Sequence, residues 1–217
     1  LRSDVHEKHI FRLPDIPTEE GAYLLDIGAN IGIISVHLAR MFPKNHILAF
    51  EPVPENYRVL CRIVKHYGLT NVTTYNLGLS DSNGTLHMLM PMQGKVRKQG
   101  LSHVLSPQDS AQSNGTQYTV DAFRLDDWWA KHFPQARIAG MKLDVENHES
   151  AVLRGAEKSL LAFRPWVVTE LWDNQNRTET HQMMKKAGAY ACKVNRNGAL
   201  VAADINDPTE QNFFFIP

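Results

Sequence analysis

The sequence predicts an α/β fold of the Rossmann-like kind, a mostly parallel sheet with helices on both faces. Two observations carry that expectation. Short apolar runs alternate with longer segments of helical period, the sequence form of strands joined by crossover helices. A glycine turn, Gly28-Ala-Asn-Ile-Gly, stands between the first such run and the helical segment after it.

Residues 22–27 form the first strand, closed by Gly28. Apolar residues from Ile33 to Met41 recur at helical spacing and give a helix over residues 32–41, ended by Pro43 and Asn45. Residues 46–50 are the second strand. Pro54 opens a helix where its missing N–H does no harm, and the helix runs to His66 before Gly68. Residues 71–77 are the third strand, with Gly78 and Asp81 at its exit. From Ser82 to Leu125 the rhythm breaks. Residues 85–90 and 117–123 read as strands, an antiparallel pair. The polar stretch 93–115 between them has the length of a functional lid or a disordered connection. A helix over residues 126–133 leads back to the parallel rhythm. Residues 139–145 are a buried strand, 149–164 a helix, 166–171 a strand, and 178–187 a helix stopped by Gly188. Two last strands, 191–195 and 212–216, close the sheet edge as an antiparallel pair. With no internal repeat and no linker, the expected organisation is one domain over residues 1–217 with a polar insertion at about 82–125.

With 217 residues, 43% of them hydrophobic and 21% charged, the chain can bury a core without disulfides or structural metal. Lysine plus arginine (23) balance aspartate plus glutamate (23), so no electrostatic footprint argues for nucleic acid or a membrane surface. No apolar run is long enough to insert across a bilayer. Cys61 and Cys192 lack metal-ligand spacing and are expected as buried free thiols. The chain opens on Leu1-Arg-Ser-Asp, without the charged segment and apolar core of a signal peptide. The expected location is the cytoplasm, although the lack of an initiator Met leaves room for a removed upstream segment. Four Asn-x-Thr sequons, at Asn71, Asn83, Asn114 and Asn176, are of the kind that threonine-rich loops generate by chance.

The glycine turn supplies chemistry by its placement. Glycines let the backbone turn tightly and approach a ligand, and a helix start offers free N–H groups. Asp26, at the strand end, can accept a hydrogen bond from an ammonium group. Glu51 closes the second strand about 20 residues after the turn, where a carboxylate holds ribose hydroxyls. A dinucleotide cofactor wants G-x-G-x-x-G, but Asn30 stands at the second glycine position and Ile33 at the third. S-adenosyl-L-methionine has no pyrophosphate and does not need them. A nicotinamide-dependent oxidoreductase is the alternative, and an ordinary strand–turn–helix without ligand is the plainest one.

With these residues in hand, the chain resembles the FkbM family of S-adenosylmethionine-dependent methyltransferases. The matching pieces are Asp26-Ile-Gly-Ala-Asn-Ile-Gly, Ala49-Phe-Glu-Pro-Val-Pro-Glu-Asn, Gly78-Leu-Ser-Asp with Gly84-Thr-Leu, Leu143-Asp-Val-Glu-Asn-His-Glu, and Val152-Leu-Arg-Gly-Ala. They follow in the family's order from Tyr23 to about Trp172. One departure is Asn147, where the family usually has glycine; asparagine is the residue that best tolerates left-handed dihedrals in its place. The resemblance implies a class I methyltransferase. Its sheet would have seven strands, the last antiparallel, with the insertion between the third and fourth parallel strands. It further implies methylation of a hydroxyl oxygen on a small-molecule, natural-product or carbohydrate acceptor. Carried onto this chain, Gly28, Ala29, Asn30 and Gly32 would contact the methionine part and Glu51 the ribose, with Leu79 and Ser80 flanking the adenine.

Ligands of open α/β sheets bind outside the carboxyl ends of the strands, and Asp144 and Glu170 fall at such ends. Glu146, His148 and Glu149 follow Asp144 in the turn before a helix. An alcohol acceptor must lose its proton, and His148 is the first candidate for the base, since histidine titrates near neutrality. Asp144 is the second. Glu149 is expected to stabilise its helix N-terminus instead. Asp144 and Glu170 are also the kind of oxygen ligands that suit Mg²⁺, although two acids do not specify a site and no metal is expected. Trp128 and Trp129 read as an amphipathic helix with one tryptophan buried, or as lining of an acceptor pocket. Lys95, Arg97 and Lys98 would attract an anionic acceptor or simply be solvated. A non-catalytic binding protein of the same fold is a third reading, with Asn147 its only local hint.

Overall fold

Four of the five residues of β1 (Tyr23–Ile27) are buried, and so are four of the five of β2 (His46–Phe50). Continuous burial of this kind marks parallel strands covered by helices on both faces. The computed structural model describes residues 13, 16–93, 96–97, 102–105 and 115–217. In it α1 (Ile33–Met41) links β1 to β2, and α2 (Pro54–His66), with proline in its first turn, links β2 to β3 (Val72–Tyr75).

The insertion then builds a second sheet. It contains β4 (Gly78–Leu79), β5 (Gly84–Gln93), β6 (Val96–Arg97), β7 (His103–Val104) and β8 (Gly115–Phe123). The expected antiparallel pair forms between β5 and β8 and is longer than its apolar cores, running from Gly84↔Ala122 to Pro91↔Gly115. The polar stretch between them contributes β6 and β7, both antiparallel to β5. Lys95, Lys98 and Asn114 lie outside the described residues, and Arg97 is described in its backbone only.

The chain returns to the main sheet through α3 (Leu125–His132), β9 (Ile138–Leu143), α4 (Glu149–Gly155), α5 (Glu157–Phe163) and β10 (Trp166–Glu170). It ends with α6 (Gln175–Lys186), β11 (Tyr190–Val194), β12 (Leu200–Ala202) and β13 (Asn212–Ile216). The strand order is β12-β11-β13-β10-β9-β1-β2-β3. All pairings from β3 to β10 are parallel, while β13 is antiparallel to both β10 and β11. Seven strands thus stand in the expected arrangement, and β12 adds an eighth at the edge. It exists because Asn195 Oδ1 accepts from the amides of Asn197 and Ala199, and Gly198 takes φ +80, closing a hairpin between β11 and β12.

The expected helix over residues 149–164 is two helices. Gly155 lies so close to the Ser80 carbonyl oxygen that a Cβ there would collide with it. The second helix starts afresh under a cap from elsewhere: the buried Asp126 carboxylate accepts from the amides of Lys158 and Ser159 and from Ser159 Oγ, at 2.9, 2.9 and 2.7 Å.

The strands divide the core by alternation. Leu24, Ile47, Val168 and Phe214 face one side with Ile34 and Leu38 of α1. Leu25, Leu48, Val167, Phe213 and Phe215 face the other with Leu125, Val152 and Leu160 of α3 to α5. Both tryptophans of α3 are buried in this second layer, not one. Trp128 packs edge-on against Phe50 and Tyr75, and Trp129 donates its Nε1–H to the Ala136 carbonyl. Cys61 and Cys192 are free thiols, half-buried rather than buried. No helix among the described residues is long and apolar enough to cross a membrane.

From β1 the chain winds outward through β2 and β3, and from β9 it winds the other way through β10. The crevice outside the carboxyl ends of β1 and β9 is therefore the switch point of the sheet, where such folds take their ligands.

Candidate active site

Gly28 leaves β1 with φ +77, and a Cβ there would strike the Asp144 carbonyl oxygen at the end of β9. Only glycine serves both demands. The amides of Gly28 and Ala29 donate to the Phe50 carbonyl, so the turn folds back onto β2. Asn30 follows at φ +49 and donates its amide to Glu51 Oε2 at 2.8 Å. Gly32, at φ +90, lies against Leu60 where a side chain would clash, and Ala29 is buried against Ala49 and Leu60. Gly28 and Asn30 line the crevice; Ala29 and Gly32 shape the turn from behind.

Glu51 is buried, yet its carboxylate is held from both sides. Oε2 takes the Asn30 amide and Oε1 the Val53 amide at 2.8 Å. Burial pushes its carboxyl up from 4.5 to about 7, against the opposing pull of these amides and of Lys142.

Beneath the turn lies a pair that spans β1 and β9. Asp26 and Lys142 are in register, and Lys142 Nζ stands 3.3 Å from Asp26 Oδ1. The same ammonium reaches Asp144 Oδ2 at 3.5 Å and donates to the Gly28 carbonyl at 3.0 Å. Burial alone would lower Lys142, but Asp26 and Asp144 outweigh it and raise its pKa. Asp26 also accepts from Ser35 Oγ at 2.6 Å. The ammonium that Asp26 meets is thus the protein's own, and Asp26 does not line the crevice.

The turn after β9 lines the same crevice. Glu146 and Asn147 both adopt left-handed dihedrals, φ +50 and +69. Glu149 accepts from the Val145 amide and from Asn176, closing the turn as a helix-start acceptor. Asn174 Nδ2 donates to Asn147 Oδ1 at 2.7 Å and ties the turn to the segment after β10. Desolvation, then the charges of Asp144, Glu170 and Glu149, push the Glu146 carboxyl up to about 7. Burial pulls the His148 imidazole below 6.5, so it is neutral at neutral pH. His148 Nε2 lies 2.9 Å from Ser80 Oγ.

Together these groups border a crevice of ≈ 640 Å³, its mouth included. Gly28, Asn30, Glu51 and Asn56 line it from the glycine turn, the end of β2 and the start of α2, and Asp144, Glu146 and His148 line it from the turn after β9. Leu77 and Leu79 add apolar lining, and the insertion contributes Leu86, Met88, Ser102 and Val104. Ser80 and Glu170 act from outside the lining, Ser80 through His148 and Glu170 through its field on Glu146. Among the described residues no group of three or more histidine, cysteine or acidic side chains is arranged to hold a metal ion. Lys142 escaped the sequence reading, and Asn56 stood in it only as the last residue of the Ala49–Asn56 family piece, with no role given. A lysine between two apolar residues of a buried strand is the signal that marks Lys142.

The matches to known proteins agree with this geometry. Residues 26–190 match the model of the Methyltransferase FkbM domain. Methyltransferase sdnD of Sordaria araneosa is 29% identical over 198 residues, covering 80% of this chain and 74% of that protein. Hexuronic acid methyltransferase AglP of Haloferax volcanii is 25% identical over 193 residues, covering 88% of this chain and 74% of its own length. The crystal structure of a methyltransferase FkbM from Methylobacillus flagellatus superposes with a TM-score of 0.58 at 16% identity. That match covers 90% of this chain but only 43% of the other, and it bears on the fold alone. Matched from Asp26 before the glycine turn to Tyr190 at the start of β11, this chain belongs to the FkbM family of S-adenosylmethionine-dependent methyltransferases.

Proposed function

We propose that the chain transfers a methyl group from S-adenosylmethionine to a hydroxyl oxygen of a small-molecule or carbohydrate acceptor, with His148 as the base. The observation that carries this reading is one crevice lined by both Glu51 and His148. The Glu51 carboxylate suits a nucleoside, and the His148 imidazole suits a group that must lose a proton. A carbohydrate acceptor is in line with the name of the Haloferax volcanii relative. Family membership sets the nicotinamide alternative aside, and the two missing glycines agree.

The residues fit the cofactor. Each oxygen of Glu51 accepts one backbone N–H, and the carboxylate keeps lone-pair capacity for a ribose hydroxyl. Asn30 Oδ1 is buried without a hydrogen-bond partner among the described residues, an acceptor suited to the amino group of the methionine part. Leu79 flanks the adenine with Leu86 and Met88. When bound, S-adenosylmethionine supplies a methyl group on a cationic sulfur, open to in-line attack by a lone pair. The chain then has to align the acceptor and take its proton.

With Nε2–H donating to Ser80 Oγ, His148 presents the Nδ1 lone pair, and that atom takes the hydroxyl proton. Glu146 and Asp144 line the same crevice and hold further polar groups of the acceptor. Glu170 acts behind them.

The test is transfer of a labelled methyl group to a panel of hydroxylated small molecules and sugars. Calorimetry with S-adenosylhomocysteine accompanies it. Label recovered on oxygen, lost in His148→Asn with cofactor affinity retained, supports the reading. Label on nitrogen or carbon, or full activity of His148→Asn, overturns it.

A further inference from the structure

Asn56 sits on the first turn of α2 and is 2% exposed. It lines the crevice beside Glu51, and its Oδ1 has no hydrogen-bond partner among the described residues. A buried carbonyl oxygen without a donor costs about 1–3 kcal/mol, so its presence beside a ligand crevice needs a reason. Which end of the amide is free follows from its neighbour. Asn56 lowers the Glu51 pKa, as a donor beside a carboxylate does and an acceptor does not. The NH₂ end therefore serves Glu51, and the oxygen is the end left over.

At this end of the crevice the chain presents a carboxylate whose oxygens each take one backbone amide, with the Asn56 NH₂ as a further donor beside it, and one amide oxygen with no donor. An adenine edge sets a donor beside an acceptor and would want a mixed partner. A vicinal diol offers two donors on neighbouring carbons, which is the complement of this set.

We infer that Asn56 is a cofactor-specificity residue whose Oδ1 accepts a hydrogen bond from one ribose hydroxyl while Glu51 accepts from the other. Glu51 and Asn56 thus act as a two-part reader of a cis-diol. This rests on the placement of the ribose at Glu51 argued above. The Asn56 donor also orients the Glu51 carboxylate, so the two halves are coupled.

The experiment is a binding cycle by calorimetry. S-adenosylhomocysteine and its 2′-deoxy and 3′-deoxy analogues are titrated into the wild type, Asn56→Ala and Asn56→Ser. Asn56→Ala is expected to bind S-adenosylhomocysteine roughly 3- to 10-fold more weakly, the loss of one neutral hydrogen bond. One of the two deoxy analogues should be penalised in the wild type and show no further loss in Asn56→Ala. If both analogues lose as much against Asn56→Ala as against the wild type, Asn56 touches neither hydroxyl and the inference falls. Asn56→Ser keeps a polar group, and the same cycle on it decides the matter should the alanine variant fold poorly. Failure of the underlying reading looks different: the wild type would then bind S-adenosylhomocysteine and both deoxy analogues equally, or not at all.

Discussion

Asp26 and Lys142 face each other in register across β1 and β9, Nζ to Oδ1 at 3.3 Å, and both side chains are shut away from water. The pair joins the strand before the glycine turn to the strand before the Asp144–His148 turn. Removing one partner leaves the other charged and buried. Lys142→Met should therefore destabilise by about 3–5 kcal/mol in urea unfolding. The double variant Asp26→Leu/Lys142→Met should recover much of that stability, because it leaves neither charge behind. Equal loss in the single and double variants would show that the pair is not coupled in this way.

Glu51 is a place where binding opposes stability. Its carboxyl titrates near 4.5 in the unfolded chain and at about 7 in the native protein. Between those values the native state holds a proton that the unfolded state has released. Stability therefore falls as pH rises from 4.5 to 7 and stays lower above that, by about 3 kcal/mol if the full shift is realised. Glu51→Gln should raise the stability of the cofactor-free protein at pH 8 and change it little at pH 4.5. The same substitution should abolish binding of S-adenosylhomocysteine. For the wild type, affinity should rise with pH through about 7, because ribose hydroxyls are donors and favour the ionised carboxylate. Thermal melts and calorimetry at the two pH values check both halves.

Much of this site is local in the sequence and much is not. Gly28, Asn30 and Glu51 were open to reading because a strand, a turn and a helix start lie together in the chain, and the turn's chemistry belongs to those residues. His148 was open for the same reason, lying in a polar turn at a strand end. Its partner Ser80 is 68 residues away, and no local pattern joins them. Lys142 was missed because its meaning depends on Asp26 across a strand boundary. The break between α4 and α5 was hidden likewise. Its causes are Ser80 against Gly155 and Asp126 at the start of α5, both contacts of tertiary structure. The edge strand β12, by contrast, carried a local signal in Asn197-Gly198 that a helix-and-strand rhythm passes over.

The pH dependence of turnover distinguishes two candidates in the same turn. Burial holds His148 below 6.5, while desolvation and neighbouring acids lift Glu146 to about 7. With His148 as the base, kcat at saturating substrates rises along an acid limb with a midpoint below 6.5. His148→Asn should remove that limb and lower kcat by about 10²- to 10⁴-fold. Glu146→Gln should leave the limb in place and act mainly on KM for the acceptor. A limb centred near 7 that disappears in Glu146→Gln would transfer the role to Glu146.

Gly155→Ala tests whether the helix break serves the site. A Cβ at residue 155 collides with the Ser80 carbonyl oxygen, so either Ser80 or the end of α4 must shift. Overpacking of this kind costs about 1–3 kcal/mol, which should appear as a lowered melting temperature. If Ser80 gives way, its hydroxyl leaves His148 Nε2, and the imidazole loses the contact that fixes its ring. The expected result is a fall in kcat and an altered acid limb, with affinity for S-adenosylhomocysteine nearly unchanged, because Glu51 and Asn30 are untouched. Ser80→Ala removes the hydroxyl without the collision and should reproduce the kinetic change at little cost in stability. Normal turnover in Ser80→Ala would show that the imidazole is held by its burial alone, and the kinetic effect of Gly155→Ala would then belong to the displaced helix.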